Sequence, residues 1–231
     1  MPVGYGHAGG SGSPTGVAAF DFDGTLTRGG SVMDFLVATE GVLTVAVSFV
    51  ALLPLFAMAV LFGGDFADRF KERLFVRVLG GMKESDLICA GEEFARNHFG
   101  RKVRRDILAR LEWHKSQGHL VVIVSASPDC YIETVAKMVG ATGVIASRFR
   151  VDGKGRIDGR FQGKYCRGAE KARRLQEWIG MEAGEGRDTY LWAYGNSAGD
   201  KAMLSIADCG VNVGRLGRLG RLRRFATSWE R

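Results

Sequence analysis

The sequence predicts an α/β fold in which helices cover a doubly wound, parallel β-sheet. Short apolar runs, which are typical of buried parallel strands, alternate along the chain with amphipathic stretches of helical periodicity. This alternation is the pattern of a sheet whose strands are joined by crossover helices. The chain has 231 residues, of which 46% are hydrophobic and 25% charged, so its size suits one such domain with a smaller insert.

The first half of the predicted fold begins after a leader. Residues 1–16 are rich in Gly, Ser and Pro and lack the apolar run of a signal peptide, so we predict a flexible leader outside the fold. The first strand is VAAF, which begins at Val17. The helix RRDILARLEWHKSQG then precedes the strand HLVVIVSAS, which is followed by the helix CYIETVAKMVG and the strand GVIAS.

The second half continues the alternation after a segment punctuated by glycines. RFRVDGKGRIDGRF predicts a β-hairpin, GAEKARRLQEWIG an amphipathic helix, TYLWAYG a strand, KAMLSIA a helix and CGVNVG a last strand. In such sheets, ligands bind at the carboxyl ends of the strands. The polar residues that follow predicted strands, and that we expect to meet at one edge, are Asp21, Asp23, Ser125 and residues 196–200.

Composition narrows the classes of function. The net charge of +7 favours an anionic partner such as a phosphate ester, a nucleic acid or an acidic lipid, unless the basic surface serves only solubility. The four cysteines form no CxxC pair, which excludes a zinc ribbon or a thioredoxin motif and indicates reduced thiols in the cytoplasm. The turn DFDGTLT is not an EF-hand, because the twelfth position counted from Asp21 is Val32 instead of glutamate.

Four segments occur in order: DFDGTLT, a serine that closes the apolar strand VVIVSAS, a lysine in EKARRL, and YGNSAGD. Together they resemble the four motifs of the haloacid dehalogenase (HAD) superfamily, and most closely its phosphoserine-phosphatase-like subclass. The likeness covers the start of the fold as far as Gly30, and then the chain from Arg104 onward. It implies a core domain of residues 17–30 and 106–231, with a helical cap at residues 31–105 inserted after the first strand.

The resemblance also implies a phosphomonoesterase and assigns roles to individual residues. Asp21 would be the nucleophile that forms an aspartyl-phosphate, and Asp23 would be the general acid and base. Ser125 and Lys171 would bind the phosphoryl oxygens. Lys164 is also near in sequence, but Lys171 opens its helix with the spacing that the family shows, so we assign the role to Lys171 and a surface position to Lys164.

The same resemblance implies a Mg²⁺ cofactor. Its ligands would be the carboxylate of Asp21, the backbone carbonyl of Asp23, and Asn196 and Asp200 of the fourth motif. Asn196 stands where the family usually has an aspartate. An amide oxygen can bind Mg²⁺ but carries no charge, so we expect weaker metal binding. A membrane-docked member of the family with a degenerate, weakly active site is therefore an alternative.

The apolar segment, residues 41–64, is 24 residues long and carries no charge, which is enough to cross a bilayer. It lies inside the predicted cap, and the predicted site residues both precede and follow it. The chain must therefore return to the side that it left, which excludes a single crossing. Three arrangements stay open: a re-entrant hairpin that bends near Pro54, a helix lying in the membrane interface, and burial inside the cap.

Two clusters of basic residues follow the apolar segment in the sequence. One cluster spans residues 69–77 and the other, at residues 215–224, lies in the C-terminal tail. Such clusters attract anionic lipid headgroups. We therefore predict an anionic membrane surface as a partner and a cytoplasmic protein that is peripheral or re-entrant at the inner face of the membrane. No aromatic stacking platform accompanies the arginines, so we predict no nucleic-acid partner.

The substrate is predicted from two resemblances. In HAD-type phosphatidylglycerophosphatases a long apolar run likewise occupies the cap, which favours a lipid-linked or lyso-lipid phosphate. The alternative is phosphoserine, whose phosphatases bind the ammonium with a cap glutamate at the place where Gly30 stands here, the nearest acid being Asp34. They also bind the carboxylate with a cap arginine, for which Arg73 is a weak match. A phosphotransferase that uses the same aspartyl-phosphate is a further alternative.

Overall fold

The computed structural model describes residues 14–184 and 186–214, and within this part five strands form one parallel sheet. The strands are β1 (Thr15–Phe20), β2 (Leu120–Pro128), β3 (Gly143–Ser147), β4 (Phe149–Val151), β5 (Ile157–Phe161), β6 (Thr189–Gly195) and β7 (Cys209–Asn212). The helices are α1 (Val32–Ala51), α2 (Leu53–Phe62), α3 (Gly64–Leu79), α4 (Glu84–Lys102), α5 (Arg105–Ser116), α6 (Asp129–Val139), α7 (Ala169–Ala183) and α8 (Lys201–Ser205).

The order of the strands in the sheet is β3-β2-β1-β6-β7, and every neighbouring pair is parallel. The predicted α/β class with a doubly wound parallel sheet is therefore confirmed. β1 lies in the middle and begins at Thr15, which pairs with Thr189, two residues before the predicted start at Val17. Because all five strands point the same way, the residues that follow β1, β2 and β6 meet at one edge.

The central strand is apolar on both faces because each face packs against helices. Ala18 and Phe20 belong to one hydrophobic cluster, and Val17 and Ala19 belong to another on the opposite face. The second cluster is completed by Leu175 and other residues of α7. Strand residues alternate between faces, so this two-sided burial explains the continuous apolar run VAAF.

The helices α1 to α4 occupy the interval between the turn after β1 and helix α5. The chain leaves and re-enters the core through a short antiparallel pair in which Thr27 lies opposite Val103. The Arg28 amide donates to the carbonyl of Lys102 at 2.8 Å. The two ends of this helical insertion are therefore held side by side next to Asp21. The strands β4 and β5 form a small antiparallel pair, which is the predicted β-hairpin. This pair packs against α3 from the core side.

The apolar segment folds as two short helices instead of one long one. Gly41 breaks α1 with a φ of 80° and a ψ of 160°, and the chain turns again at Leu52, just before α2. Pro54 sits in the first turn of α2, so the chain bends near it, but it reverses direction at Gly63 and Gly64, where α3 begins and runs back along α2. Within the described part of the chain, no residue of α2 is buried, which contradicts burial inside the cap.

Helix α1 (Val32–Ala51) is also the one described helix that is long and apolar enough to cross a membrane, judged by length and composition alone. Its interruption at Gly41 divides that length into two pieces of about ten residues. The second basic cluster, residues 215–224, and most of the leader lie outside the described residues.

Helix α4 attaches the insertion to the core through close contact with α6. A Cβ added at Gly91 would lie 2.4 Å from the carbonyl oxygen of Cys130, whereas one added at Gly100, on the exposed end of α4, would meet nothing within 4 Å. We expect Gly91→Ala to lower the free energy of unfolding by about 1–3 kcal/mol, because α4 must move away from α6.

Gly100→Ala is the matched control, since it makes the same chemical change in the same helix. It should raise the free energy of unfolding by about 0.5–1 kcal/mol through helix propensity alone. Urea denaturation of the two variants and the wild type measures both effects. Equal stabilities for the two variants would contradict this packing.

Candidate active site

Asp21 lies at the carboxyl end of the central strand and is almost fully buried. Its amide donates to the carbonyl of Tyr194 in β6 at 2.9 Å, and its Oδ2 accepts a hydrogen bond of 2.9 Å from Thr25 Oγ1. The tight turn of residues 22–26 that follows depends on Gly24, whose φ is 79°. A Cβ at Gly24 would also lie 2.1 Å from one terminal atom of the Asn196 side-chain amide. Glycine therefore lets the fourth motif approach the first.

Lys171 is the cation of the site. It lies in the first turn of α7, only 2% of its side chain is exposed, and its Nζ donates to Asp21 Oδ1 at 2.7 Å and to Asp200 Oδ1 at 2.5 Å. Lys164 is exposed on the loop before this helix. Of the two lysines that the sequence offered, the structure brings Lys171 to the carboxylates.

The charges of this cluster shift one another's pKa. Burial alone would lower the pKa of Lys171, but the carboxylates of Asp21 and Asp200 outweigh it and hold that pKa above its ordinary value. Burial raises the pKa of Asp21 to about 6, a rise that Lys171 opposes and the nearby charge of Asp200 reinforces. The pKa of Asp200 stays below its ordinary value, because Lys171 and the hydrogen bonds from Ser197 outweigh its burial. Two carboxylates and one ammonium leave the cluster with a net negative charge.

Asp200 holds neighbouring residues in place through hydrogen bonds to both of its carboxylate oxygens. Its Oδ1 accepts from Lys171, and its Oδ2 accepts from the amides of Asn196 and Ser197 at 3.2 and 3.0 Å and from Ser197 Oγ at 2.7 Å. Both oxygens are thus engaged by donors of the protein. The geometry does not support the expectation that Asp200 is a direct metal ligand, because a cation would have to displace these donors.

The other three expected ligands do converge. One terminal atom of the Asn196 side-chain amide lies 3.3 Å from Asp21 Oδ2 and 3.0 Å from the backbone oxygen of Asp23. With the amide oxygen in that place, three oxygen atoms face one another, an arrangement that a small oxygen-binding cation such as Mg²⁺ stabilises. With the amide nitrogen there, Asn196 donates to both oxygens and closes the gap itself. The donor set therefore fits Mg²⁺, which would turn the amide oxygen inward.

This set differs from a cluster of metal-binding side chains. Among residues 14–184 and 186–214, no group of three or more His, Cys, Asp and Glu side chains is arranged to hold a metal ion. The candidate ligands here are one carboxylate, one amide and one backbone carbonyl, so only one of the three is a His, Cys, Asp or Glu side chain. They provide a single formal negative charge from Asp21, so the weaker metal binding predicted from Asn196 stays a prediction.

Asp23 is held by a chain of hydroxyl groups that the motifs did not reveal. Ser127 Oγ donates to Asp23 Oδ2 at 2.5 Å, and Ser31 Oγ lies 3.3 Å from Ser127 Oγ and 2.8 Å from the Tyr131 hydroxyl. Asp23 Oδ1 is buried and has no hydrogen-bond partner among the described residues. Burial raises the pKa of Asp23, and the hydrogen bond from Ser127 opposes that rise. Ser127 thus fixes one of the two carboxylate oxygens.

Ser125 is buried on β2, the strand that pairs with β1. Its Oγ accepts a hydrogen bond of 3.0 Å from the Ser127 amide. The structure gives no direct contact between Ser125 and Asp21 among the described residues, although the two strands are neighbours. Its predicted contact with a phosphoryl group stays a prediction.

Helix α3 places Lys71, and not Arg73, towards the catalytic cluster. The Lys71 ammonium lies 5.8 Å from the ring centroid of Tyr165, and burial together with the charge of Arg167 lowers its pKa. Arg167 in turn forms an ion pair of 3.1 Å with Asp68, which joins α3 to the loop before α7. Arg73 is exposed, because two helical positions turn its side chain about 200° away from that of Lys71. The weak prediction that Arg73 binds substrate is therefore not supported.

Comparisons with known proteins agree with this arrangement. Residues 18–205 match the haloacid dehalogenase-like hydrolase family. Protein CicA of Caulobacter vibrioides is 32% identical over 192 residues, which are 83% of each chain. A probable phosphatase of Mycobacterium tuberculosis is 36% identical over 95 residues, or 39% of this chain and 30% of the relative. The family match includes both Asp21 and Asp200.

Solved structures share the fold. A protein of unknown function from Bordetella pertussis superposes with a TM-score of 0.68 at 20% identity, covering 84% of this chain and 87% of the other. A phosphoserine phosphatase, solved as a phospho-aspartyl intermediate analogue, superposes with a TM-score of 0.60 at 19% identity, covering 87% of each chain. At these identities the likeness establishes the fold alone.

We predict that Lys171→Met destabilises the metal-free protein in a pH-dependent way. The pKa of Asp21 is raised to about 6, so Asp21 is ionised and needs the counter-charge of Lys171 only above that pH. The loss should therefore reach about 3–5 kcal/mol near pH 8, where two buried carboxylates lose their counter-charge, and be smaller near pH 5. Urea denaturation in EDTA at both pH values measures it.

Lys164→Met is the control for this prediction, since it removes the same charge from an exposed position. It should change stability by less than about 0.5 kcal/mol at either pH. A loss for Lys171→Met that does not grow with pH would contradict the pairing of Lys171 with an ionised Asp21.

Proposed function

This chain belongs to the haloacid dehalogenase-like hydrolases, and we propose that it is a Mg²⁺-dependent phosphatase that cleaves phosphomonoesters through an aspartyl-phosphate. The observation that carries the proposal is the buried Asp21 carboxylate, fixed by Lys171 at the end of the central strand. Asp23 stands two residues further on and is held by Ser127. The similarity to a probable phosphatase of M. tuberculosis supports the same class of reaction.

In the first step, Asp21 attacks phosphorus and the bond to the leaving alkoxide oxygen breaks. Asp23 gives its proton to that oxygen. Its raised pKa favours the protonated form that this role requires, and Ser127 keeps the carboxyl in place. In the second step, Asp23 takes a proton from water, which attacks the phosphorus of the aspartyl-phosphate. Phosphate leaves and the Asp21 carboxylate is restored.

Lys171 and Ser125 serve the phosphoryl oxygens in both steps. The Lys171 ammonium already lies 2.7 Å from Asp21, so a phosphoryl group on that carboxylate would be within reach of its charge. When bound, Mg²⁺ supplies positive charge that neutralises the phosphoryl oxygens. Asp21, the carbonyl of Asp23 and Asn196 are the residues that would hold it.

We propose that the substrate is a lipid-linked or lyso-lipid phosphate, similar to phosphatidylglycerophosphate. Two observations support this choice over phosphoserine. The apolar helix α2, which belongs to the insertion, exposes Leu61 and Phe62 by 73% and 66%. The acid expected nearest to a phosphoserine ammonium, Asp34, instead lies 3.5 Å from His98, and half of its side chain is exposed.

The first experiment compares Mg²⁺-dependent phosphate release from phosphoserine and from phosphatidylglycerophosphate in mixed micelles. We expect release from the lipid, and Asp21→Asn should lower it by at least about 10⁴-fold because the nucleophile is lost. Release from phosphoserine alone would overturn the lipid assignment. Release from neither would overturn the catalytic proposal and favour the degenerate alternative, and a new phosphate ester formed with an added alcohol would indicate a phosphotransferase.

A second experiment tests the metal ligands. Asn196→Asp adds a carboxylate beside Asp21 Oδ2 and the carbonyl of Asp23, and we expect it to lower the Mg²⁺ concentration that gives half-maximal rate by about tenfold or more. The maximal rate should be kept or raised. Asn97→Asp, which makes the same change at an exposed position of α4, is the control and should leave the Mg²⁺ requirement near that of the wild type. Loss of activity in Asn196→Asp would contradict the assignment.

A further inference from the structure

We propose that the apolar half of a helical hairpin, residues 42–51 of α1 together with α2, docks into one face of an anionic lipid bilayer. This half, here named the apolar hairpin, is followed by α3, which runs back along it. The hairpin carries ten large apolar side chains that are at least about a third exposed. Soluble monomers rarely expose one contiguous apolar surface of this extent without a binding partner. The ten exposed side chains are those of Val42, Leu43, Val47, Val50, Leu53, Phe56, Met58, Val60, Leu61 and Phe62.

On α2 the exposed apolar side chains cover more than one stripe. At 100° per residue, the exposed positions of α2 spread over roughly two thirds of its circumference. A protein partner packed against one helix face covers a stripe only somewhat wider than about 100°. A second copy of the chain would therefore leave much of this surface in water, whereas a lipid phase covers all of it.

The course of the chain suits docking without crossing. The two helices follow each other with a bend at Leu52, and each spans about 15 Å. Residues 41–64 contain no Asp, Glu, Lys or Arg that would have to be desolvated. The chain enters the hairpin from the first half of α1 and leaves it through α3, which runs back along α2 and α1 to the core pair β4 and β5, so the chain returns to the side that it left.

The hairpin is a defined structure that is held against α3. The rings of Phe49, Phe56 and Phe70 lie with centroids 4.9, 5.4 and 5.2 Å apart. Val45 is also buried. These contacts fix one side of the hairpin, so its exposed side chains belong to an ordered surface rather than to a collapsed core.

Charge complementarity identifies the lipid as anionic. Arg69, Arg73 and Arg77 are all exposed and stand four residues apart on α3, so they form a basic stripe along one face of the helix that follows the hairpin. Each arginine near an anionic surface should strengthen binding about fivefold. The stripe thus gives Arg73 a place in membrane contact instead of in the catalytic site.

The test is flotation of the full chain with vesicles of phosphatidylcholine alone and with vesicles containing phosphatidylglycerol as a third of the lipid. We expect flotation with the anionic vesicles. Replacing Leu43, Val47, Leu61 and Phe62 together by Gln should lower the partition coefficient at least about a hundredfold. The matched control replaces Ile88 and Met181 by Gln, two exposed apolar residues elsewhere, and should float like the wild type.

A second variant, with Arg69, Arg73 and Arg77 replaced by Gln, should lose roughly a hundredfold in binding to anionic vesicles and lose the preference for them over neutral ones. Failure of the wild type to float with either vesicle would overturn the proposal. So would a wild-type dimer that the hairpin variant dissociates without any flotation, since the surface would then bind a second copy. Equal flotation of the hairpin variant and the control would place the binding surface elsewhere.

Hydrolysis of a water-soluble aryl phosphate separates this proposal from the enzymatic one. The substituted positions are exposed and lie outside the catalytic cluster, so the hairpin variant should keep the wild-type rate. Unchanged hydrolysis with lost flotation supports the docking surface. Flotation without hydrolysis in any variant would leave the docking surface standing while the proposed reaction fails.

Discussion

The ammonium group of Lys171, buried between the carboxylates of Asp21 and Asp200, is the interaction on which the arrangement of the site depends. It joins three elements that are far apart in sequence, the end of β1, the start of α7 and the loop after β6. Two buried carboxylates could not stay ionised side by side without it. Asp200 passes the constraint on, because its other oxygen orders the backbone that presents Asn196. A residual negative charge remains, and this charge suits the proposed binding of a cation.

The fold could be predicted well because its strands are buried on both faces and read as continuous apolar runs. The start of β1 at Thr15 was missed, since pairing with β6 and not hydrophobicity defines it. The ends of the predicted strands placed the carboxylates at one edge, and the family resemblance identified Lys171 as the lysine that meets them. Ser127 lies two residues after Ser125, on the same face of the predicted strand, so the sequence could have indicated it. Ser31 and Tyr131 were not, because they join the site from elements about a hundred residues apart.

The apolar segment shows where a hydropathy pattern stops being informative. Length and composition alone could not separate a spanning helix from a buried one, because both are uniformly apolar. Backbone conformation separates them: Gly41 and Leu52 divide the run into two short helices, and the rings of Phe49 and Phe70 hold the pair against α3. The position of Arg73 around the axis of α3 could not be predicted from the sequence either. A local motif match could not show which side of α3 it occupies.

Helix α3 connects the apolar hairpin with the mouth of the site. It begins at Gly64, directly after the hairpin, and Asp68 and Lys71 lie within its first two turns, about 10 Å along the axis. The ion pair of Asp68 with Arg167 clamps that part of the helix to the core. With the hairpin in lipid, this fixed spacing along α3 would set the position of the protein relative to the membrane surface. It would fix the height of the catalytic carboxylates above the headgroups, so that selection among phosphate esters depends on how far each one projects from the bilayer.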